Sequence, residues 1–238
     1  MSQNEISILS TTVVDDEFIR EAQAKDALVD VMPFIKTESI SSTELQKKIQ
    51  HALSISKTVV FTSTNAVEAV GSEIKDQKIT WRIFCIGYAT KRSVEEYFGK
   101  KSIAGVADNA KELAQLIISA GTREAIFFCG DQRRDELPDQ LKKNNIEVNE
   151  VIVYKTVATP GKIKKKYDGI LFFSPSAVKS FFQENKLDQQ VILFAIGSVT
   201  AEEIKKFSKN KIVISGVPDR RILLDSVAAY FESNPIHH

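Results

Sequence analysis

Histidine and cysteine, the side chains that most often carry acid–base, nucleophilic and metal chemistry, are nearly missing from this 238-residue chain. It holds three histidines and two cysteines. His237 and His238 stand at the extreme C-terminus and are set aside, which leaves His51, on a polar helical stretch, as the one histidine in the body of the chain. A histidine-based acid–base or triad mechanism has almost no material. No Cys/His cluster has metal-ligand spacing, and there is no P-loop, no GxGxxG after a first strand and no GxSxG elbow. Neither a metal nor a cofactor is expected. Cys85 and Cys129 each close an apolar run, where cysteine behaves as a small buried hydrophobe, as suits a reducing cytoplasm.

Charge of one sign is missing too. Lys and Arg number 32 against 31 Asp and Glu, a formal net charge of +1. A nucleic-acid partner would normally announce itself as a basic excess, so none is expected. The longest apolar runs, such as 191–197, are strand-length, well short of the ~20 residues that cross a bilayer. The opening Met1-Ser2-Gln3-Asn4-Glu5 is polar and carries no basic residue, unlike a signal peptide. The expectation is a cytoplasmic protein that touches no membrane and, with no long exposed apolar helix, is a monomer.

What is present is regular alternation. Short β-branched or aromatic runs cover 6–10, 29–35, 58–62, 81–87, 101–105, 124–130, 148–154, 168–173, 191–197 and 211–215. Between most of them lie amphipathic stretches such as 109–120, where Leu113, Leu116 and Ile117 share one helix face. Continuous apolar strands alternating with helices predict an α/β fold whose parallel sheets are covered on both faces. Two sheets of about five strands are expected.

The chain also repeats itself. VVFTSTNAV (59–67) aligns with ILFFSPSAV (170–178) at an offset of 111; IFCIGYATKRSV (83–94) aligns with LFAIGSVTAEEI (193–204) at 110; GVADNAKEL (105–113) aligns with GVPDRRILL (216–224) at 111. Three matches in one order at nearly one offset indicate two copies of a common unit. A strand-helix-strand piece precedes each copy, at 6–35 and 124–154. The repeat alone divides the chain near Gly121. The tracts 33–42 and 156–166 read as crossings between domains and as hinges, the second a solvated linker carrying Thr159-Pro160-Gly161 and a lysine-rich run.

Chemistry gathers where strands end. Ser63-Thr64-Asn65, Tyr88-Ala89-Thr90, Ser174-Pro175-Ser176 and Ser198-Val199-Thr200 each fall between an apolar strand and the next helix. Open α/β sheets bind ligands outside these carboxyl ends. Such residues cap helices in any α/β protein, yet the backbone N–H groups and positive dipole end there also favour anions. Four equivalent positions from two repeats point to one cleft between facing sheets. Gly130-Asp131-Gln132-Arg133-Arg134 adds a turn and two guanidinium groups suited to carboxylate or phosphate, or else a solvated helix start. Tyr154 ends a strand beside a crossing, as a packing residue or as one facing the cleft.

Taken together, FTSTNAV (61–67), GYAT (87–90), VYKT (153–156), FFSPSAV (172–178) and AIGSVTAEEI (195–204) resemble the uroporphyrinogen-III synthase family, in the correct order over nearly the whole chain. The resemblance implies two α/β domains, 1–35 with 159–238 and 40–154, joined by crossings at 36–39 and 155–158, with the active-site cleft between them. It implies cyclisation of hydroxymethylbilane, a linear tetrapyrrole with eight carboxylates, with inversion of the last pyrrole ring, loss of water and no cofactor. By motif match Tyr154 lies near the leaving hydroxyl and Thr200 is a cleft threonine, both catalytic. Ser63, Thr64, Thr90, Ser174 and Ser176 fall on substrate-contacting positions, and Asn65, Arg133 and Ser198 are counted with them from their strand-end placement. The family's Gly-Pro-Thr-Thr is Gly197-Ser198-Val199-Thr200 here, and Ser10-Thr11-Thr12 stands where many members carry an arginine. A non-catalytic two-lobed module that closes on a small anionic ligand is the alternative.

Overall fold

The computed structural model describes residues 5–55, 57–75 and 77–235; His237, His238 and the first four residues lie outside them. Chain order is β1 (Ile6–Ser10), α1 (Asp16–Gln23), β2 (Ala27–Val31), β3 (Ile35–Ser39), α2 (Thr43–Ser54), β4 (Thr58–Phe61), α3 (Thr64–Ile74), β5 (Arg82–Ile86) and α4 (Tyr88–Phe98). It continues through β6 (Ile103–Ala107), α5 (Ala110–Ser119), β7 (Glu124–Gly130), α6 (Glu136–Lys143) and β8 (Glu147–Ala158). The last elements are β9 (Gly169–Phe172), α7 (Pro175–Glu184), β10 (Ile192–Ala195), α8 (Ser198–Lys205), β11 (Ile212–Ile214) and α9 (Arg220–Ser233). No helix among the described residues is long and apolar enough to cross a membrane.

Two compact units result: Met1–Lys36 with Val157–His238, and Thr37–Thr156. The first is built on the sheet β11-β10-β9-β1-β2 and the second on β3-β8-β7-β4-β5-β6. Thus β1-α1-β2 pairs with the C-terminal strands, and Gly121 falls inside the second unit rather than at a boundary. All pairings in the first sheet are parallel, and β4, β5, β6, β7 and β8 are parallel in the second. The edge strand β3 departs from the expected all-parallel pattern. Ile40 N donates to Val153 O and Thr159 N to Phe34 O, both at 2.9 Å, so residue numbers on β3 and β8 run in opposite directions.

The continuous apolar runs have a direct cause. Side chains alternate across a strand, and the central strands bury both faces. Val59 and Phe61 of β4 enter a core with α2 and α3, while Val60 enters a second core with α5 and α6. In the first unit Leu171 of β9 packs with α1 and α9, whereas Ile170 and Phe172 pack with α7 and α8. The repeat survives in three dimensions: residue by residue, 61–70 and 172–181 have the same sequence of buried, intermediate and exposed positions.

One sequence expectation fails for a local reason, and another holds only in part. The run 29–35 is not one strand; it breaks at Met32-Pro33-Phe34 into β2 and β3, which belong to different sheets. Proline has no N–H to give a ladder. The tract 156–166 exposes Lys162, Lys164, Lys165 and Lys166, as a solvated linker would, but it is anchored to the first unit. Asn185 is buried and accepts from Ile163 N (2.9 Å) while donating to Gly161 O and Phe181 O (both 2.8 Å). Tyr167 donates to Asp30 (2.8 Å), which also pairs with Lys165. Burial and that carboxylate push the Tyr167 phenol pKa upward, while the Lys165 contact holds Asp30 below the usual carboxylate range. The crossings at 36–39 and 155–158 are likewise ordered, as parts of the paired strands β3 and β8.

Two buried polar side chains of α7 and its C-terminus give opposite predictions. Asn185→Ala strands three backbone groups and should cost about 2–3 kcal/mol. Ser180 is fully buried and its hydroxyl has no partner among the described residues; Ser180→Ala should stabilise by about 1 kcal/mol. Urea denaturation of the two variants checks both signs.

Candidate active site

Parallel pairing places the C-terminal ends of the parallel strands on one edge of each sheet, and an open sheet parts there where its connections change direction. In the second unit the chain runs β4 to β5 to β6 one way and β7 to β8 the other. The switch point lies between β4 and β7. Ser63 follows β4, Asp131 follows β7, and Tyr154 reaches the same place from β8.

The contacts of Tyr154 are specific. Ser63 Oγ donates to the Tyr154 hydroxyl at 3.2 Å and accepts from Ala66 N at 3.3 Å as the N-cap of α3. The phenol therefore hangs from a helix N-terminus through one serine. Its ring lies over Gly130: a Cβ there would fall 2.4–2.7 Å from the ring carbons and hydroxyl of Tyr154. The register between β7 and β8 slips at this point, with Cys129 opposite Ile152 and Gly130 opposite Tyr154. A bulge of this kind re-aims a side chain. Asp131 then fixes the backbone on both sides of the tyrosine, its N–H donating to Tyr154 O (3.2 Å) and its carboxylate accepting from Thr156 N (2.9 Å).

The other residues singled out in the sequence divide into three groups. Thr64 and Asn65 sit half-buried in the first turn of α3. In the first unit the switch point lies between β9 and β1, and Ser174 there caps α7 by accepting from Ala177 N (3.2 Å). Ser176 Oγ donates to Ser174 Oγ at 3.5 Å. Thr11 beside them is buried, its hydroxyl donating to Leu171 O (2.7 Å). One strand further out, α4 and α8 begin after Gly87 and Gly197 with no side-chain cap. Ser198 is exposed, but Thr90 and Thr200 are only 5% and 3% exposed. As third residues of their helices, they turn inward.

Arg133, expected among the substrate-contacting residues, already has partners within the protein. It forms ion pairs with both Glu150 and Asp135, and Glu150 also takes Lys142 (3.2 Å). Its guanidinium is oriented by these two carboxylates. Arg134 is exposed, with no ionic partner among the described residues. Gly130 and Asp131 were visible in the sequence only as a turn; their role as the seat of Tyr154 depends on a bulge that no local pattern reveals.

The cysteines play no part here. Both are free and buried, and burial pushes each thiol pKa up to about 11. Among the described residues no group of His, Cys, Asp and Glu side chains is arranged to hold a metal ion.

A family model described as uroporphyrinogen-III synthase HemD matches residues 16–225. The chain belongs to the uroporphyrinogen-III synthase family. Uroporphyrinogen-III synthases of two yeasts are similar along most of their length: that of Saccharomyces cerevisiae is 25% identical over 92% of this chain and 93% of its own, and that of Schizosaccharomyces pombe 24% over 85% and 87%. The crystal structure of the Helicobacter pylori uroporphyrinogen-III synthetase has the same fold, with a TM-score of 0.69 at 14% identity over 94% of this chain and 99% of that one. A mutant uroporphyrinogen III synthase from Thermus thermophilus gives 0.60 at 14% identity, over 96% and 98%.

If the seat of Tyr154 is as described, Gly130→Ala acts through the ring above it, because no left-handed backbone angle is at stake there. The extra methyl should cost about 1–3 kcal/mol by overpacking. In a Tyr154→Ala background most of that cost should vanish. Equal losses in both backgrounds, read from urea midpoints, would mean the glycine serves something else.

Proposed function

We propose that this protein is a uroporphyrinogen-III synthase, cyclising hydroxymethylbilane with inversion of the last pyrrole ring and loss of water. The observation that carries the reading is a phenol hydroxyl held at the switch point of a member of this family, hydrogen-bonded to a helix-capping serine. The discontinuous division into 1–35 with 159–238 and 40–154 is the proposed domain organisation, close to the compact units described above. The protein acts alone in the cytoplasm, without metal or cofactor.

The chemistry asks for little acid strength and much shaping. An electron-rich pyrrole nitrogen pushes out the hydroxymethyl oxygen, which needs one proton to depart as water. Tyr154 is the proposed donor. By accepting a hydrogen bond from Ser63, its oxygen becomes better able to carry the negative charge that builds as the proton leaves. The cationic azafulvene that remains must close at the substituted carbon of the terminal ring, through a spiro intermediate, instead of at its free end. Orientation decides between these outcomes. Hydroxyl and backbone N–H donors at the strand ends, Thr64, Asn65, Ser174, Ser176 and Ser198 among them, are proposed to hold the substrate's carboxylates. Thr90 and Thr200 are proposed to act from beneath, shaping the starts of α4 and α8, so Thr200→Ala should cost less than loss of the phenol.

Freshly prepared hydroxymethylbilane closes unaided to the type I isomer, so separating product isomers tests the proposal directly. Enrichment of the III isomer is expected; only the I isomer would overturn the enzymatic reading. Tyr154→Phe should lower kcat by about 100-fold, the lower end for a general acid, while the III isomer persists. An unchanged kcat would reduce Tyr154 to a packing residue.

A further inference from the structure

In the first turn of α9, two adjacent arginines break a rule of helix electrostatics. Arg220 and Arg221 are the first residues of the helix, and no acidic residue shares that turn. The N-terminal end of a helix carries partial positive charge, so a cation there is unfavourable. For Arg221 the structure compensates. Its guanidinium pairs with Glu17 at 2.7 Å and Glu21 at 3.5 Å, both on α1. Arg220 has no carboxylate partner among the described residues.

Arg220 is nevertheless held in place. Its guanidinium carbon lies 5.6 Å from the centroid of the Phe173 ring, and Nη1 is 3.5 Å from Val13 O in the loop after β1. Phe173 is the last residue before Ser174, so the arginine stands over the switch point of the first unit, between the loops that follow β1 and β9. The acids that share its hollow are otherwise engaged. Asp15 accepts from Phe18 N (2.8 Å) and Asp219 from Arg221 N and Ile222 N (2.8 and 3.1 Å), each as the cap of its own helix. Stacking on an aromatic face orients a guanidinium while leaving its N–H edge open, the geometry that takes a carboxylate through two hydrogen bonds.

We propose that Arg220 is a substrate-binding residue that takes one carboxylate of the tetrapyrrole at the strand-end edge of the first unit. The proposal rests on the function argued above. It assigns to the start of α9 an anion-recognition role that the motifs of the chain do not reveal, since Asp219-Arg220-Arg221 reads as an ordinary solvated helix start. A local rule broken without an ion pair to offset it, beside a site, is the pattern expected where stability has been given up for function.

Steady-state kinetics on hydroxymethylbilane with isomer analysis test this, using Arg220→Gln, Arg220→Lys and Arg221→Gln. Arg220→Gln should raise KM about tenfold, as loss of one charged hydrogen-bonding partner does, with Tm unchanged or raised because a cation leaves the helix start. Arg220→Lys should recover only part of the loss, a point charge lacking the planar fork. Arg221→Gln should lower Tm and leave KM within about twofold, as loss of a surface pair does. Wild-type KM in Arg220→Gln, or an equal rise in both glutamine variants, would overturn the assignment while the wild-type III-isomer activity still upheld the enzyme. A lowered Tm in Arg220→Gln with unaltered KM would make the residue structural. Isothermal titration with uroporphyrin III, an octacarboxylate, provides a readout free of turnover: affinity should fall in Arg220→Gln and stay near wild type in Arg221→Gln.

Discussion

A parallel strand cannot return by a tight turn, and most of the molecule follows from that constraint. Each crossing needs a helix, the helices cover both faces, and the strands between them become apolar throughout. The carboxyl ends of all parallel strands then share one edge. Small polar residues collect there because helix starts need caps, and the capping groups are the ones that greet an anion. In each unit the direction of winding reverses once, between β4 and β7 in one and between β9 and β1 in the other. In the second unit Ser63 and Tyr154 owe their proximity to that reversal rather than to any closeness in sequence.

Tyr154 shows how a local irregularity is used. A regular ladder would continue the alternation of β8, yet the register slips at Cys129 and Gly130 and the ring comes to lie over a glycine. The hydroxyl is then reached by Ser63, itself fixed by the N–H of Ala66. Helix, serine and phenol form a short chain of polarised hydrogen bonds. Arg133, by contrast, is held by ion pairs to Glu150 and Asp135.

Periodicity made the fold class legible, and the internal repeat disclosed two similar units before any coordinates. Val60 and Val59 look alike in sequence because both are buried, though they enter opposite cores. Harder to read were features set by distant partners. Glu150 lies 17 residues from Arg133, Asn185 lies 24 from Gly161, and neither pairing leaves a local signature. The split of 29–35 between two sheets was marked only by Pro33. The burial of Thr90 and Thr200 follows from their place as third residues of helices whose first two positions face outward, a phase that depends on where each helix starts.

The central claim is that Ser63 and Tyr154 act as one unit in proton donation. A double-mutant cycle on kcat, with saturating hydroxymethylbilane and at temperatures well below each variant's Tm, measures their coupling. Residues acting through one hydrogen bond are non-additive. The account predicts that Ser63→Ala lowers kcat about tenfold in the wild-type background but less than about twofold once Tyr154 is phenylalanine, since the serine then has no hydroxyl to polarise. Losses that simply multiply would contradict it, leaving Ser63 as a helix cap and Tyr154 to act without it.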